Sequence, residues 1–350
     1  MLDQICLRIS PVPLPPADTF LNQIAIVTGG TGGLGLAAAA HFVNLGAKQV
    51  IITSRSAPRA KHALEELERL TSGKSAEPGR VRVMELDMAS FKSVVAFVEE
   101  AGKINVGRGG VDCVVLNAGV VSVEYDATDD GFEQALQVNA ISTALLARLL
   151  LESMLREHPH RKTPAHMALT GSTRHTDGDV DVLGRWAKTD GIVGHLNKPE
   201  NYPGSSLTYQ NTKLLAHYAM ENVAELARDR DSGRPRVIVN TCCPGVVKTD
   251  LARPFVSQNA AYAVGVAVFQ GVLGKTAEAG ARTLLRAVMT DEEQHGEFIR
   301  FYGSKEKYAV QAEKLFRSET GKRVRASLWR EFGAIVRDKV PEVADRFLQE

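Results

Sequence analysis

Short apolar runs alternate along the chain with segments whose apolar positions recur at helical spacing. "QIAIVT" (23–28), "QVIITS" (49–54), "RVRVMELD" (80–87), "VDCVVLNAG" (111–119), "AHMALTGS" (165–172) and "RVIVNTCCPG" (236–245) read as strands. Between them, "LGLAAAAHFVNLGA" (34–47), "RAKHALEELERL" (59–70), "FKSVVAFVEEAG" (91–102) and "FEQALQVNAISTALLARLLLESML" (132–155) read as helices, and a further helix runs through "SSLTYQNTKLLAHYAM" (205–220). Strands that are apolar throughout, each followed by a helix, predict a parallel sheet buried on both faces. The expected fold is therefore α/β, a doubly wound parallel sheet over residues 21–250. An insertion at 173–205 separates the fifth strand from the 205–220 helix. Residues 1–20, Pro-rich in their second half, predict a flexible, extended arm. Residues 251–350 read as a mainly helical extension over the cleft.

Composition narrows the class without naming a function. In 350 residues, 44% are apolar, 24% are charged and the formal net charge is +1. That is a globular profile with no general attraction to nucleic acid or anionic membrane. The four cysteines, Cys6, Cys113, Cys242 and Cys243, match no zinc spacing and read as free thiols in a reducing compartment. A signal peptide is not evident at the start, so a cytoplasmic location is expected. "AAYAVGVAVFQGVLG" (Ala260 to Gly274) is short of the about 20 residues that span a membrane, and a buried or cleft-covering helix is expected there.

"VTGGTGGLG", Val27 to Gly35, follows the first strand and opens the first helix. Glycines let the backbone turn tightly and approach a pyrophosphate, and the helix N-terminus offers that anion free N–H groups. The setting is that of a Rossmann-type dinucleotide site. At the end of the second strand, where an NAD site carries an acid for the ribose 2′-hydroxyl, the chain reads Thr53, Ser54, Arg55, Ser56. With no carboxylate and an arginine fork available, NADP(H) is the expected cofactor. Arg59 and Lys61 are candidate helpers that read equally well as surface charge.

The spacing Thr28-Gly29-x-x-x-Gly33-x-Gly35 resembles the glycine motif of the short-chain dehydrogenase/reductase family, and the resemblance extends from about Gln23 to Thr249. Asp87 ends the third strand where the family has an aspartate beside the adenine. Asn117, Ala118 and Gly119 match the Asn-Ala-Gly motif after the fourth strand. Asn139, Ser172, Tyr209 and Lys213 then fall in the order of the catalytic tetrad, and Pro244 to Thr249 match the Pro-Gly turn. By this resemblance the cofactor would be held by Thr28, Gly29, Thr31, Gly33, Leu34, Gly35, Ser54, Arg55, Asp87, Met88, Asn117, Ala118, Gly119, Tyr209, Lys213, Pro244, Gly245, Val247 and Thr249. Tyr209 would exchange the substrate proton, Ser172 would hydrogen-bond the substrate oxygen, Lys213 would hold the nicotinamide ribose, and Asn139 would hold a water linking Lys213 to solvent. Residues four apart share a helix face, so Lys213 is expected beside Tyr209, lowering its pKa.

Several residues carry plainer readings. Ser172 could be a strand-end cap with Thr173 in its role, Asn139 a satisfied helix asparagine, and Tyr218 core packing. The insertion resembles that of the retinol-dehydrogenase and WW-domain-oxidoreductase branch and of fungal biosynthetic reductases. It implies a bulky apolar carbonyl or alcohol as substrate, with Trp186 and His175 candidates to line the substrate wall. "DGDVDV" is no calcium loop, because Val182 and Lys188 occupy the positions, counted from Asp177, where glycine and glutamate are required. No metal is expected. The reading is a ketoreductase of secondary-metabolite biosynthesis. Its rivals are a membrane-associated retinol- or steroid-type dehydrogenase and a non-catalytic NADPH-binding regulator. The partner is a small molecule; neither nucleic acid nor membrane is expected, and the family's pairing through helices near the tyrosine makes a homodimer an option.

Overall fold

The computed structural model describes residues 9–249 and 271–349. Seven parallel strands form one sheet in the order β3-β2-β1-β4-β5-β6-β7: β1 (Ile24–Val27), β2 (Gln49–Ser54), β3 (Val81–Glu85), β4 (Cys113–Leu116), β5 (Ala165–Thr170), β6 (Val237–Cys242) and β7 (Phe298–Ile299). Chain order reverses between β1 and β4, which opens a crevice above their carboxyl ends.

Helices α1 (Gly33–Asn44), α2 (Ala57–Leu70), α3 (Phe91–Ala101), α4 (Ser142–Glu157), α5 (Val180–Trp186), α6 (Ile192–Leu196) and α7 (Ser205–Leu226) alternate with these strands, and α8 (Ala277–Ala287), α9 (Lys305–Ala312), α10 (Glu319–Lys339) and α11 (Ala344–Leu348) follow. Each sheet face carries its own apolar core. The alanines of α1 lie flat on the sheet, Ala38 and Ala39 being fully buried. The helical run Gln134–His160 is long and apolar enough to cross a membrane, yet its apolar surface is spent inside the fold.

Three features differ from expectation. The strand β7 extends the sheet past β6, and α8 packs on α1, so two elements of the C-terminal segment belong to the sheet's own layers. Of the arm expected to be flexible, residues 1–8 lie outside the described residues and the rest is docked: Phe20 packs edge-on against Phe42 at 4.6 Å between ring centroids, and Val12 is buried with its carbonyl accepting from Arg282. These two side chains supply the apolar burial that a Pro-rich stretch lacks. The long helix expected over 132–155 is interrupted by a π-helical turn at Gln137–Ile141. Of the 260–274 stretch, residues 260–270 lie outside the described residues, as do 250–259 before it.

Candidate active site

The glycine loop is built around two left-handed positions, Gly29 (φ 63°) and Gly33 (φ 50°), which favour glycine. A Cβ at Gly35 would stand 2.4 Å from the Gly29 carbonyl oxygen and 2.6 Å from Asn117 Nδ2. The first turn of α1 therefore sits directly on the loop. Around Gly32 a Cβ would meet nothing within 4 Å, leaving room for a ligand's diphosphate. Neighbouring strands lock the loop. The Thr28 hydroxyl oxygen accepts from the amides of Asn117 (2.9 Å) and Ala118 (3.0 Å), Asn117 Nδ2 donates back to the Thr28 carbonyl (3.0 Å), and the Gly29 amide donates to Thr53 Oγ1 (3.1 Å). Thr249 borders Gly33, and Leu34 and Val247 both lie against Gly280 of α8. Thr31 is half-buried at the loop's tip, and Pro244 is buried beside the turn glycine Gly245 (φ 79°). These residues fit a dinucleotide.

At the adenosine end, the Ser54 hydroxyl donates to the Ser56 carbonyl (2.9 Å) and Arg55 is exposed. Asp87 accepts from the Ala89 amide (3.0 Å), fixing the turn after β3, where Met88 is buried.

The four catalytic candidates converge at the other end of the crevice. Lys213 Nζ donates to the Thr170 carbonyl at the end of β5 (2.9 Å), and its ammonium lies 5.7 Å from the Tyr209 ring centroid. Ser172, one residue past the Gly171 bend, lies beside the Tyr209 phenol and caps a 3-10 turn by accepting from the Arg174 amide (3.2 Å). Asn139 lies in the π-helical turn, a local widening often found at functional sites. Its side chain accepts from the Val120 amide (2.9 Å) and donates to the Val120 carbonyl (2.8 Å). A Cβ on Gly119 would lie 3.2 Å from Asn139 Oδ1 and 3.6 Å from Lys213 Nζ, so these two side chains flank one point of backbone.

The electrostatics depart from the simple expectation. Burial pushes the Tyr209 phenol up to about 12, with the neighbouring Ser172 hydroxyl only partly offsetting it. Burial likewise lowers Lys213 to about 8. Lys213 does not depress the phenol here: it spends its donor on Thr170, and desolvation outweighs its charge.

His175 and Trp186 occupy different settings. His175 is 1% exposed, stacks on His217 (4.5 Å) and abuts Phe298 and Phe316, while its Nδ1 is bonded to the Ser172 carbonyl (2.7 Å). It belongs to the core beneath the Ser172 bend, and it does not line a substrate wall. Trp186 is half-buried and stacked on His195 at 4.1 Å within the insertion. Tyr218 is packing, fully buried with its hydroxyl donating to the Leu315 carbonyl (2.7 Å).

Some residues at the site had no signal in the local pattern. Tyr302, just past β7, brings its hydroxyl to Cys243 Sγ (2.6 Å) and Thr173 Oγ1 (3.2 Å). Glu331 of α10 accepts from the amides of Ile192 (2.9 Å) and Val193 (2.8 Å), capping α6 of the insertion. The insertion and the C-terminal helix are thus tied to each other. No group of three metal-ligating side chains occurs among the described residues.

Comparison with known proteins agrees with this arrangement. The short chain dehydrogenase family profile matches residues 23–161. A short-chain dehydrogenase/reductase of Aspergillus flavipes (ffsI) is 35% identical over 319 residues, covering 91% of this chain and 87% of its own. One of Phaeosphaeria nodorum (phmF) is 33% identical over 334 residues, covering 94% and 90%. Among solved structures, a 3-oxoacyl-[acyl-carrier protein] reductase from Brucella melitensis in complex with NAD shares the fold with a TM-score of 0.55 at 22% identity, over 79% of this chain and 94% of that one. A putative NAD(P) dependent gluconate 5-dehydrogenase from Beutenbergia cavernae with bound NADP has a TM-score of 0.57 at 19% identity, over 81% and 96%. The glycine loop, the sheet and full-length relatives lead to one conclusion: the chain belongs to the short-chain dehydrogenase/reductase family of nicotinamide-dependent oxidoreductases.

Proposed function

We propose that the protein is an NADP(H)-dependent ketoreductase acting on a bulky, apolar ketone, and that it serves secondary-metabolite biosynthesis. The observation that carries the reading is the meeting of Ser172, Tyr209 and Lys213 at the carboxyl end of β5, on the same crevice as the glycine loop. The nicotinamide, when bound, supplies the hydride. The chain's own groups manage the oxygen. A ketone oxygen placed between the Ser172 and Tyr209 hydroxyls is met by two donors as negative charge develops on it. A phenol held at about 12 is protonated at neutral pH, the form needed to give a proton in the reducing direction. Lys213, fixed by Thr170, supplies a cation beside that ring.

Support for NADP(H) comes from the adenosine end. The turn after β2 has no carboxylate, its Ser54 hydroxyl is turned back on Ser56, and Arg55 stands exposed without a protein partner among the described residues. A bulky apolar substrate fits a wall made by two chain segments, α5–α6 and α10. The test is Tyr209→Phe, followed by NADPH consumption over aromatic, polyketide-like, steroid and retinoid carbonyls. Turnover should vanish while NADPH affinity is kept; a near-normal rate overturns the reading.

A further inference from the structure

Lys275 has no part in the chemistry above, yet its side chain is only 3% exposed and its Nζ is buried with no hydrogen-bond partner among the described residues. Lys213, also buried, has the Thr170 carbonyl. An unpaired buried ammonium is costly, and folds retain one chiefly where an anion completes it. Burial accordingly pulls the pKa of Lys275 down.

Its position in the fold is well fixed. The Lys275 amide donates to the Val246 carbonyl (3.1 Å), and the Lys248 amide donates to the Lys275 carbonyl (2.9 Å). Lys275 is thereby strapped along the Pro244–Thr249 turn. One end of that turn touches the glycine loop through Thr249 and Gly33. The other end follows Cys243, which is within electrostatic reach of Tyr209, Lys213 and Lys275 alike. Lys275 is therefore held along the turn that joins the diphosphate end to the reacting end of the crevice.

We propose that the Lys275 ammonium is an anion anchor of the reaction crevice, receiving an oxyanion from the bound reactants. Two sources share that chemistry: the diphosphate of the dinucleotide, and a carboxylate or enolate oxygen of the substrate. The inference rests on the oxidoreductase reading for the identity of the reactants, so its test is read by binding and not by turnover.

The variant is Lys275→Met, which keeps the stem and removes the charge. NADPH affinity is measured by fluorescence titration. Affinities of 3-oxobutanoate and of its ethyl ester are measured on the enzyme–NADP⁺ complex, where no reduction can occur. A diphosphate source predicts that the NADPH Kd rises by about tenfold or more; a substrate source predicts that the wild-type preference for 3-oxobutanoate over the ester, about tenfold, is lost while the NADPH Kd holds. If both quantities stay within about twofold of wild type, the anchor is refuted. Should Lys275→Met not fold, Lys275→Gln is judged by the same two quantities. A wild-type protein that binds these ligands but turns over no carbonyl would refute the ketoreductase reading and leave this test intact.

Discussion

The hydroxyl of Thr28 offers the sharpest test of how the cofactor loop is held. It is 1% exposed and accepts two backbone amides, those of Asn117 and Ala118. Thr28→Val preserves the shape and replaces the acceptor by a methyl group. Two partly buried amides lose their acceptor, at about 1–3 kcal/mol each where they stay dry, or roughly 2–6 kcal/mol together. Thr28→Ser keeps the oxygen and loses one methyl, about 1 kcal/mol. At about 2 cal/mol/K per residue over the 350-residue chain, the unfolding entropy is roughly 0.7 kcal/mol/K. The valine variant should then melt about 3–9 °C lower and the serine variant about 1–2 °C lower. Differential scanning calorimetry gives both values, and urea unfolding checks the free energies. Because the same two amides tie β4 to the glycine loop, Thr28→Val should also weaken NADPH where Thr28→Ser does not. The reasoning fails if the valine variant is as stable as the serine variant, whatever their activities.

Three other outcomes are expected. Arg55→Ala should weaken NADPH far more than NADH, as measured by the two dissociation constants; equal losses would count against a 2′-phosphate contact. Lys213 sits near 8, below its ordinary 10.5, so its ammonium is present below that pH and lost above it. NADPH affinity should therefore fall as pH rises through about 8, with proton uptake on binding at about pH 8.5, seen by calorimetry in buffers of different ionisation enthalpy; Lys213→Met should abolish the uptake. Glu331→Ala leaves two amides of α6 without their acceptor, at about 1–3 kcal/mol each if they stay dry. It should raise the ketone KM with little change in NADPH affinity, and an effect on NADPH alone would separate α6 from the substrate wall.

Five of the seven strands are legible because buried parallel strands read as continuous apolar runs, and β3, at the sheet edge, is legible from its alternation of apolar and charged residues. The seventh, β7, is two residues long and owes its existence to pairing with β6, which no local window records. The glycine loop, Asn117, Asn139, Ser172, Tyr209 and Lys213 were found because their spacing is local to strand ends and helix turns. The π turn around Asn139 escaped notice, since its residues fit an ordinary helical pattern. Thr28 was singled out for the cofactor, while its grip on β4 spans 89 positions. Tyr302 and Glu331 likewise act across separations of 59 to 139 positions, where apolar periodicity carries no information. That His175 is a core residue and not a candidate for the substrate wall is illegible for a related reason: its partners, His217, Phe298, Tyr308 and Phe316, come from four later segments.

The cap that Glu331 places on α6 also sets an order of assembly during synthesis. Glu331 follows Ile192 by 139 residues. At about 5–20 residues per second, a ribosome adds it roughly 7–30 s after the insertion has been made. By then β1 to β6 and the glycine loop have all been translated, so the nucleotide half of the crevice can assemble first. The cap on α6 must wait until α10 has emerged. A nascent chain stalled before α10 would thus be expected to bind a nicotinamide-nucleotide affinity resin while its insertion stays open to protease, so that the insertion settles only after a helix made well behind it.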